Sequence, residues 1–244
     1  MPAIIGRTQY EGELQRILNR IHLRALKGLL QALPLDLFGD AGYSDVVFTA
    51  ALPLWSVFYE QLRDDYIAGM SPVLVRVHAQ QSRVLVSQRG VMLNDDEVDD
   101  RSREWVGLWL GVLAQDMISY ARKKIDGFIA TFRARSELGL GWLRERLGRL
   151  FSPSRAQSVA ITEVTRAGYE GEKATAQELR NRELELVEVW ITANDERVCE
   201  YCGPNHNRPR GRFWQVPPPL HPRCRCNVVW LAPDELAEFY RMSA

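Results

Sequence analysis

All four cysteines of this 244-residue chain lie between Cys199 and Cys226. They fall in two short groups, Cys199-Glu-Tyr-Cys202 and His221-Pro-Arg-Cys224-Arg-Cys226, with a longer stretch between them. A disulfide scaffold spreads cysteines through a small fold that lacks a sufficient core. Clustering with histidine in a chain of this length favours a metal site instead. The two-residue gap in the first group lets one ion accept both thiolates while the following backbone amides point at the sulfurs. Isolated buried thiols have no reason to adopt ligand spacing. The residues predict a structural Zn2+ site, with reduced thiols in a cytosol-like compartment.

A tetrahedral zinc takes four ligands at ~2.0 to 2.3 Å. Cys199, Cys202, His221, Cys224 and Cys226 offer five, and His206 is a sixth candidate. Cys199 and Cys202 form the first pair. The second pair is open: Cys224 with Cys226 makes an all-thiolate site, and His221 with either makes three thiolates and one imidazole. An extended Cys224 to Cys226 places both sulfurs on one face, whereas Pro222 restrains His221 to an extended backbone that can aim it inward. Catalytic zinc needs three protein ligands and an open position beside a general base, and no residue near the cluster fills that last role. An HNH-type nuclease would use His206, but the further downstream metal-binding histidine it requires is missing from the sequence.

The rest of the chain reads as helical first and mixed later. Leu14, Ile17, Leu18, Ile21, Ala25 and Leu29 recur at helical spacing, with Thr8 a cap and Pro34 a stop. Further helices are expected from Ser44 to about Ile67, Pro72 to about Gln88, and Arg101 to about Glu137. Gly42, Gly69 with Pro72, and the acidic stretch from Asn94 to Asp100 punctuate them. Gly107 and Gly111, one turn apart, read as sites of close helix packing rather than as a hinge or oligomer contact. A new helix opens near Pro153, with Ser152 or Ser154 as its cap. Alternation then predicts one strand over Glu185 to Ala193, a second over Cys226 to Ala232, and a short terminal helix after Pro233. The fold class is therefore α+β: a mainly helical region over 1–150, then a small α+β domain over 151–244. That domain holds a hairpin-like strand pair and a long connection that needs a metal to pin it.

Charge excludes one broad class and leaves local candidates. Lys+Arg and Asp+Glu are equal at 31 each, so the chain is no globally basic nucleic-acid binder. The cationic run from Tyr120 to Arg149 reads as a solvated helix face. Arg208, Arg210, Arg212, Arg223 and Arg225 have no acid beside them between Asn205 and Cys226, which makes this loop the candidate contact for DNA backbone or an acidic partner. Glu163, on a helix face of small residues, is expected to pair with Arg197 or with the arginine loop. The longest apolar stretches are broken by polar residues and proline, so no membrane span and no membrane partner is expected. The N-terminus lacks the pattern of a secretory signal.

The helix AITEVTRAGYEGEK, the segment VWITANDERVCEYC, the step from Gly211 to Phe213, and PPLHPRCRC before a final strand occur in that order. In this the chain resembles the Mu F-like head-morphogenesis, or minor head, proteins of tailed phages, over about Ser154 to Pro233. The resemblance implies a non-enzymatic, low-copy virion protein that contacts the portal protein and the major capsid protein during assembly. It would sit in the capsid interior or at the portal vertex, after assembly in the host cytoplasm, and would be packaged or ejected with genomic double-stranded DNA. The 1–150 region would then dock to portal or capsid. The competing expectation is a zinc-containing DNA-binding or DNA-processing protein.

Overall fold

In a computed structural model, residues 4–32, 45–135 and 137–243 are described, with the side chains of 45–54 and 243 set aside. The Pro34 stop, the Gly42 break and the Ser44 start lie outside the described residues. The elements run α1 (Arg7–Ala32), α2 (Asp45–Gln88), α3 (Asp95–Ala134), α4 (Leu140–Leu150), α5 (Pro153–Asn181), β1 (Val187–Ile191), β2 (Arg208–Pro209), β3 (Asn227–Leu231) and α6 (Pro233–Ser243). The fold is thus α+β as the sequence indicates, with helices first and a small antiparallel sheet near the end. No described helix is long and apolar enough to cross a membrane.

Three helix boundaries differ from the periodicity reading. The helices expected on either side of Gly69 and Pro72 are one helix, α2. A proline inside a helix costs about 3 kcal/mol. Burial of Met70, Val73, Leu74 and Val77 around it, at roughly 1.5 to 3 kcal/mol each, outweighs that penalty. Gly69 lies within the helix where a Cβ would meet Ile17 Cγ2 at 2.8 Å, so the missing side chain is what lets α1 lie close. The acidic stretch after Asn94 is the first turn of α3 and not a spacer. Asn94 Oδ1 accepts the Asp96 N–H at 3.0 Å, and Asp95, Asp96 and Glu97 sit at the positive end of the helix dipole.

Two compact units emerge, and neither follows chain order. One gathers Met1–Glu13, Pro72–Val106 and Ser158–Ala244; the other gathers Leu14–Ser71 and Gly107–Gln157. The 1–150 region contributes to both, because α1, α2 and α3 each change unit part-way along their length.

In the first unit, the small-residue face of α5 sets the packing. A Cβ at Gly171 would stand 2.2 Å from the His78 carbonyl oxygen, and one at Gly168 would stand 2.7 Å from Ile4 Cδ1. Ser82 Oγ donates to the His78 and Gly171 carbonyls at 3.0 and 2.9 Å, fastening α2 to α5 where they approach. The sheet order is β2-β1-β3, with Val189 opposite Val229 and Trp190 opposite Val228. Alternation divides its faces: Val189, Ile191 and Val229 meet Leu236 and Phe239 of α6. Trp190, Val228 and Trp230 turn to a core that includes Tyr169, Trp214 and three of the cysteines. Glu172 is buried on α5, accepting Trp230 Nε1–H at 3.1 Å, and burial pushes its carboxyl up to about 8.

In the second unit, His22 packs edge-on against Tyr66 and Phe151, with both ring nitrogens buried. Burial, followed by the Arg155 charge, drives its pKa down to about 4. Gly107 and Gly111 depart from the close-packing reading: a Cβ at either would meet nothing within 4 Å, and Leu108 beside them is 71 % exposed.

Gly171→Ala should lower stability by roughly 2 to 4 kcal/mol, while Gly107→Ala should raise it by about 0.5 to 1 kcal/mol through helix propensity; urea titrations of both variants measure the contrast. A second expectation concerns acid. His22 has a lower pKa folded than unfolded, so its neutral form supports folding fully above about pH 6.5, and that support drains away as pH falls toward 4. His22→Phe should remove this loss, so the variant's stability advantage should grow by about 1.4 kcal/mol per pH unit across that window. Chemical denaturation at a series of pH values checks it, and a pH-independent difference would refute it.

Candidate metal centre

The chain between β1 and β3 makes few regular contacts of its own, so its shape depends on where its polar and sulfur atoms are tied. After β1, Asp195 Oδ1 accepts the Arg197 N–H at 3.1 Å and closes a turn that delivers Cys199. The backbone N–H groups of Cys202 and Gly203 then bond the Cys199 carbonyl at 3.1 and 3.0 Å, which folds Cys199 to Cys202 into a knuckle. On the other side, the Cys224 N–H bonds the His221 carbonyl at 3.1 Å, and Arg223 takes a left-handed φ of 64° to make that turn.

These two turns meet. Cys199, Cys202 and His221 form one donor triad, and Cys202, Cys224 and Cys226 form another; within each triad the donor atoms lie within 4.8 Å of one another. His221 Nε2 is 3.2 Å from Cys199 Sγ and 3.3 Å from Cys202 Sγ, and Cys202 Sγ is 3.9 Å from Cys224 Sγ. A tetrahedral ion with zinc–ligand lengths would space its sulfurs by about 3.8 Å and sulfur from nitrogen by about 3.5 Å. The cluster fits that span, and it could hold a metal ion. His221 Nδ1 lies 2.8 Å from the Pro222 carbonyl. A proton on Nδ1 donated to that carbonyl leaves the Nε2 lone pair facing the sulfurs, as a metal-bound imidazole requires.

The electrostatics show why four sulfurs so close call for a cation. Donation from the Cys226 thiol, with backbone N–H groups of Cys226 and Leu220, outweighs burial and draws Cys224 down to about 5. Burial and the neighbouring Cys224 charge push Cys202 up to about 12. Cys226 is pushed up by its bond to Cys224 and by burial. Burial raises Cys199, but the N–H groups of Cys202 and Tyr201 outweigh it and leave that thiol below its ordinary range. Burial lowers His221, but the Pro222 carbonyl and the Cys224 and Cys199 charges outweigh it and raise the imidazole. Sulfurs packed this closely cannot all ionise unaided, and a bound divalent ion deprotonates its thiols outright.

A frame of hydrogen bonds from α5 and α1 holds the second turn. Thr162 Oγ1 accepts the Arg223 N–H at 2.9 Å, and Thr165 Oγ1 donates to the Cys224 carbonyl at 2.8 Å. Arg7 reaches Thr165 Oγ1 at 2.6 Å and the Arg225 carbonyl at 2.8 Å. The sequence gives no sign that Arg7 and Thr165, which stand more than 50 positions from the cysteines they support, belong to this frame. An arginine early in an amphipathic helix carries no local sign of such a partner.

The other expected residues separate into different roles. Glu163 is 4 % exposed and pairs with Arg166 of its own helix at 3.4 Å, while Arg197 lies 3.7 Å from Asp195. Among the loop arginines, Arg225 grips Asp195 with two bonds of 2.7 and 2.6 Å, and that contact, ahead of opposing burial, holds the Asp195 carboxyl down at about 2. Arg210 binds the buried Glu188 carboxylate at 2.9 and 3.2 Å, where Tyr169 also donates at 3.0 Å. Arg208 and Arg212 instead lie over the Phe213 ring. His206 Nδ1 accepts the Thr192 N–H at 3.1 Å and stands outside both donor triads.

No protein-family model, no curated protein and no solved structure matches the chain.

Five donors surround a site that a tetrahedral ion fills with four, and Cys202 alone belongs to both triads. Cys202→Ser should therefore abolish stoichiometric metal uptake. His221→Ala and Cys226→Ser should each retain roughly one ion per chain with weakened affinity, because each leaves one triad around Cys202 complete with a fourth donor beside it. Cobalt(II) titration read in the visible d–d bands measures all three, and full uptake by the Cys202 variant would contradict the geometry.

Proposed function

We propose that this chain is a non-enzymatic minor head protein of a tailed phage. It joins the portal protein and the major capsid protein during head assembly and stays in the virion, at the capsid interior or portal vertex, in reach of the genomic double-stranded DNA. The observation that carries the reading is the convergence of Cys199 and Cys202 with His221, Cys224 and Cys226, donors that follow the same order as in the family it resembles. Zinc is the ion we assign: thiolates with imidazole in a tetrahedral span are the donor set it favours, and it brings no redox chemistry of its own.

The role of such an ion is to shape the connection between β1 and β3. The donors are held by backbone turns and by the Thr162, Thr165 and Arg7 frame, the arrangement of a structural site. The engagement of His206 by Thr192 supports this over a DNA-processing nuclease, which would keep that imidazole for metal or substrate.

The test is the composition of assembled particles. Quantitative mass spectrometry of purified heads, and of portal complexes isolated from producing cells, should find the chain at a few copies per portal and in far smaller amount than the shell subunit. Heads that contain portal and shell subunits but none of this chain would overturn the proposal.

A further inference from the structure

The loop between β1 and β3 divides its arginines by partner. Arg210 and Arg225 are internal ties, to Glu188 and Asp195. Arg208 and Arg212 lie instead on an exposed aromatic ring: their guanidinium carbons stand 4.8 and 5.8 Å from the Phe213 centroid. Phe213 is itself 43 % exposed. Two cations and an exposed aromatic ring thus share one patch of surface.

The patch is built on a rigid base. Gly211, at a φ of 108°, donates its N–H to the Trp214 carbonyl at 3.0 Å and closes the turn that carries Arg212 and Phe213. Trp214 is buried against Trp190, and its Nε1–H bonds the Arg208 carbonyl at 2.8 Å. The backbone of Arg208 is itself paired with Trp190 in the sheet. The backbone that carries the cations and the ring is therefore held in place before any partner arrives, which lowers the entropy lost on binding.

We propose that the face formed by Arg208, Arg212 and Phe213 binds single-stranded nucleic acid, the guanidinium groups meeting phosphates and the ring stacking on a base. The combination selects among anionic partners. Duplex DNA keeps its bases stacked on one another and offers the patch only phosphates, leaving the exposed ring unused. An acidic peptide likewise satisfies the arginines and not the ring. A single strand presents charge and unstacked π-faces together, the pairing that sequence-tolerant single-strand binders use. This inference goes beyond the minor-head reading and stands or falls without it.

Fluorescence anisotropy of the full-length protein tests it, with a labelled oligothymidine about 20 nucleotides long, the matching duplex, and polyglutamate as probes. The single strand should bind tightest. Phe213→Ala should weaken it about tenfold, and Phe213→Trp should retain it; Phe213→Leu, which keeps apolar bulk beneath Arg208, guards against a folding artefact and should also bind weakly. Replacing Arg208 and Arg212 together by Gln should reduce the slope of log affinity against log salt by about 1.4. Failure to bind the single strand, tighter binding of the duplex or polyglutamate, or unchanged affinity in the Phe213→Ala and Phe213→Leu proteins would each overturn the proposal.

Discussion

Four sulfurs and an imidazole crowded into one small volume form the constraint around which the C-terminal part of this chain is arranged. Thiolates repel at these separations, so the group is stable either with protons shared unequally among its members or with a cation at its centre. Everything nearby is organised to keep the donors facing one another. The backbone turns at Cys199 and at His221 aim them, Arg225 on Asp195 closes the approach to the first turn, and Thr165 fixes the carbonyl of Cys224. The cysteines are also part of the core that contains Trp190, Trp214 and Trp230. Loss of the site would therefore disturb the packing on one face of the sheet as well as the loop.

Buried charge plays a second organising part. Glu188 occupies the central strand, where a carboxylate is costly unless fully engaged. Tyr169 from α5 and Arg210 from just beyond β2 both reach it. That engagement joins helix, central strand and the short edge strand through one carboxylate, and it explains why so brief a strand as β2 holds its register. The same requirement takes Arg210 out of the cationic surface, leaving Arg208 and Arg212 to define it.

Much of this was legible in the order of residues. Clustered cysteines at ligand spacing announced the donor set, and alternation over Glu185 to Ala193 announced β1, because both signals are local. The signals that failed were those overridden by tertiary packing. Gly69 and Pro72 read as a break, yet the helix continues because its apolar neighbours are buried on both sides of the proline. Gly107 and Gly111 read as a packing groove yet face open space, while Gly168 and Gly171, spaced no more conspicuously, are the glycines that close contact demands, against the Ile4 side chain and the His78 backbone. The pattern of small residues tells that a helix can approach closely and not which neighbour will. Arg7 and Thr165 were invisible for the related reason that their partner is a backbone carbonyl, which has no sequence identity.

The tie between Arg7 and the carbonyl of Arg225 spans 218 positions, and Ile4 is buried against Gly168. During synthesis the first helix leaves the ribosome long before either partner exists. Its N-terminal turn must wait, exposed, until translation has passed Arg225, since contacts so distant in sequence form late. Folding of the unit that carries the donor cluster is thereby coupled to translation through Arg225: a chain ended before the cysteines would lack both the donors and the carbonyl that anchors its first helix.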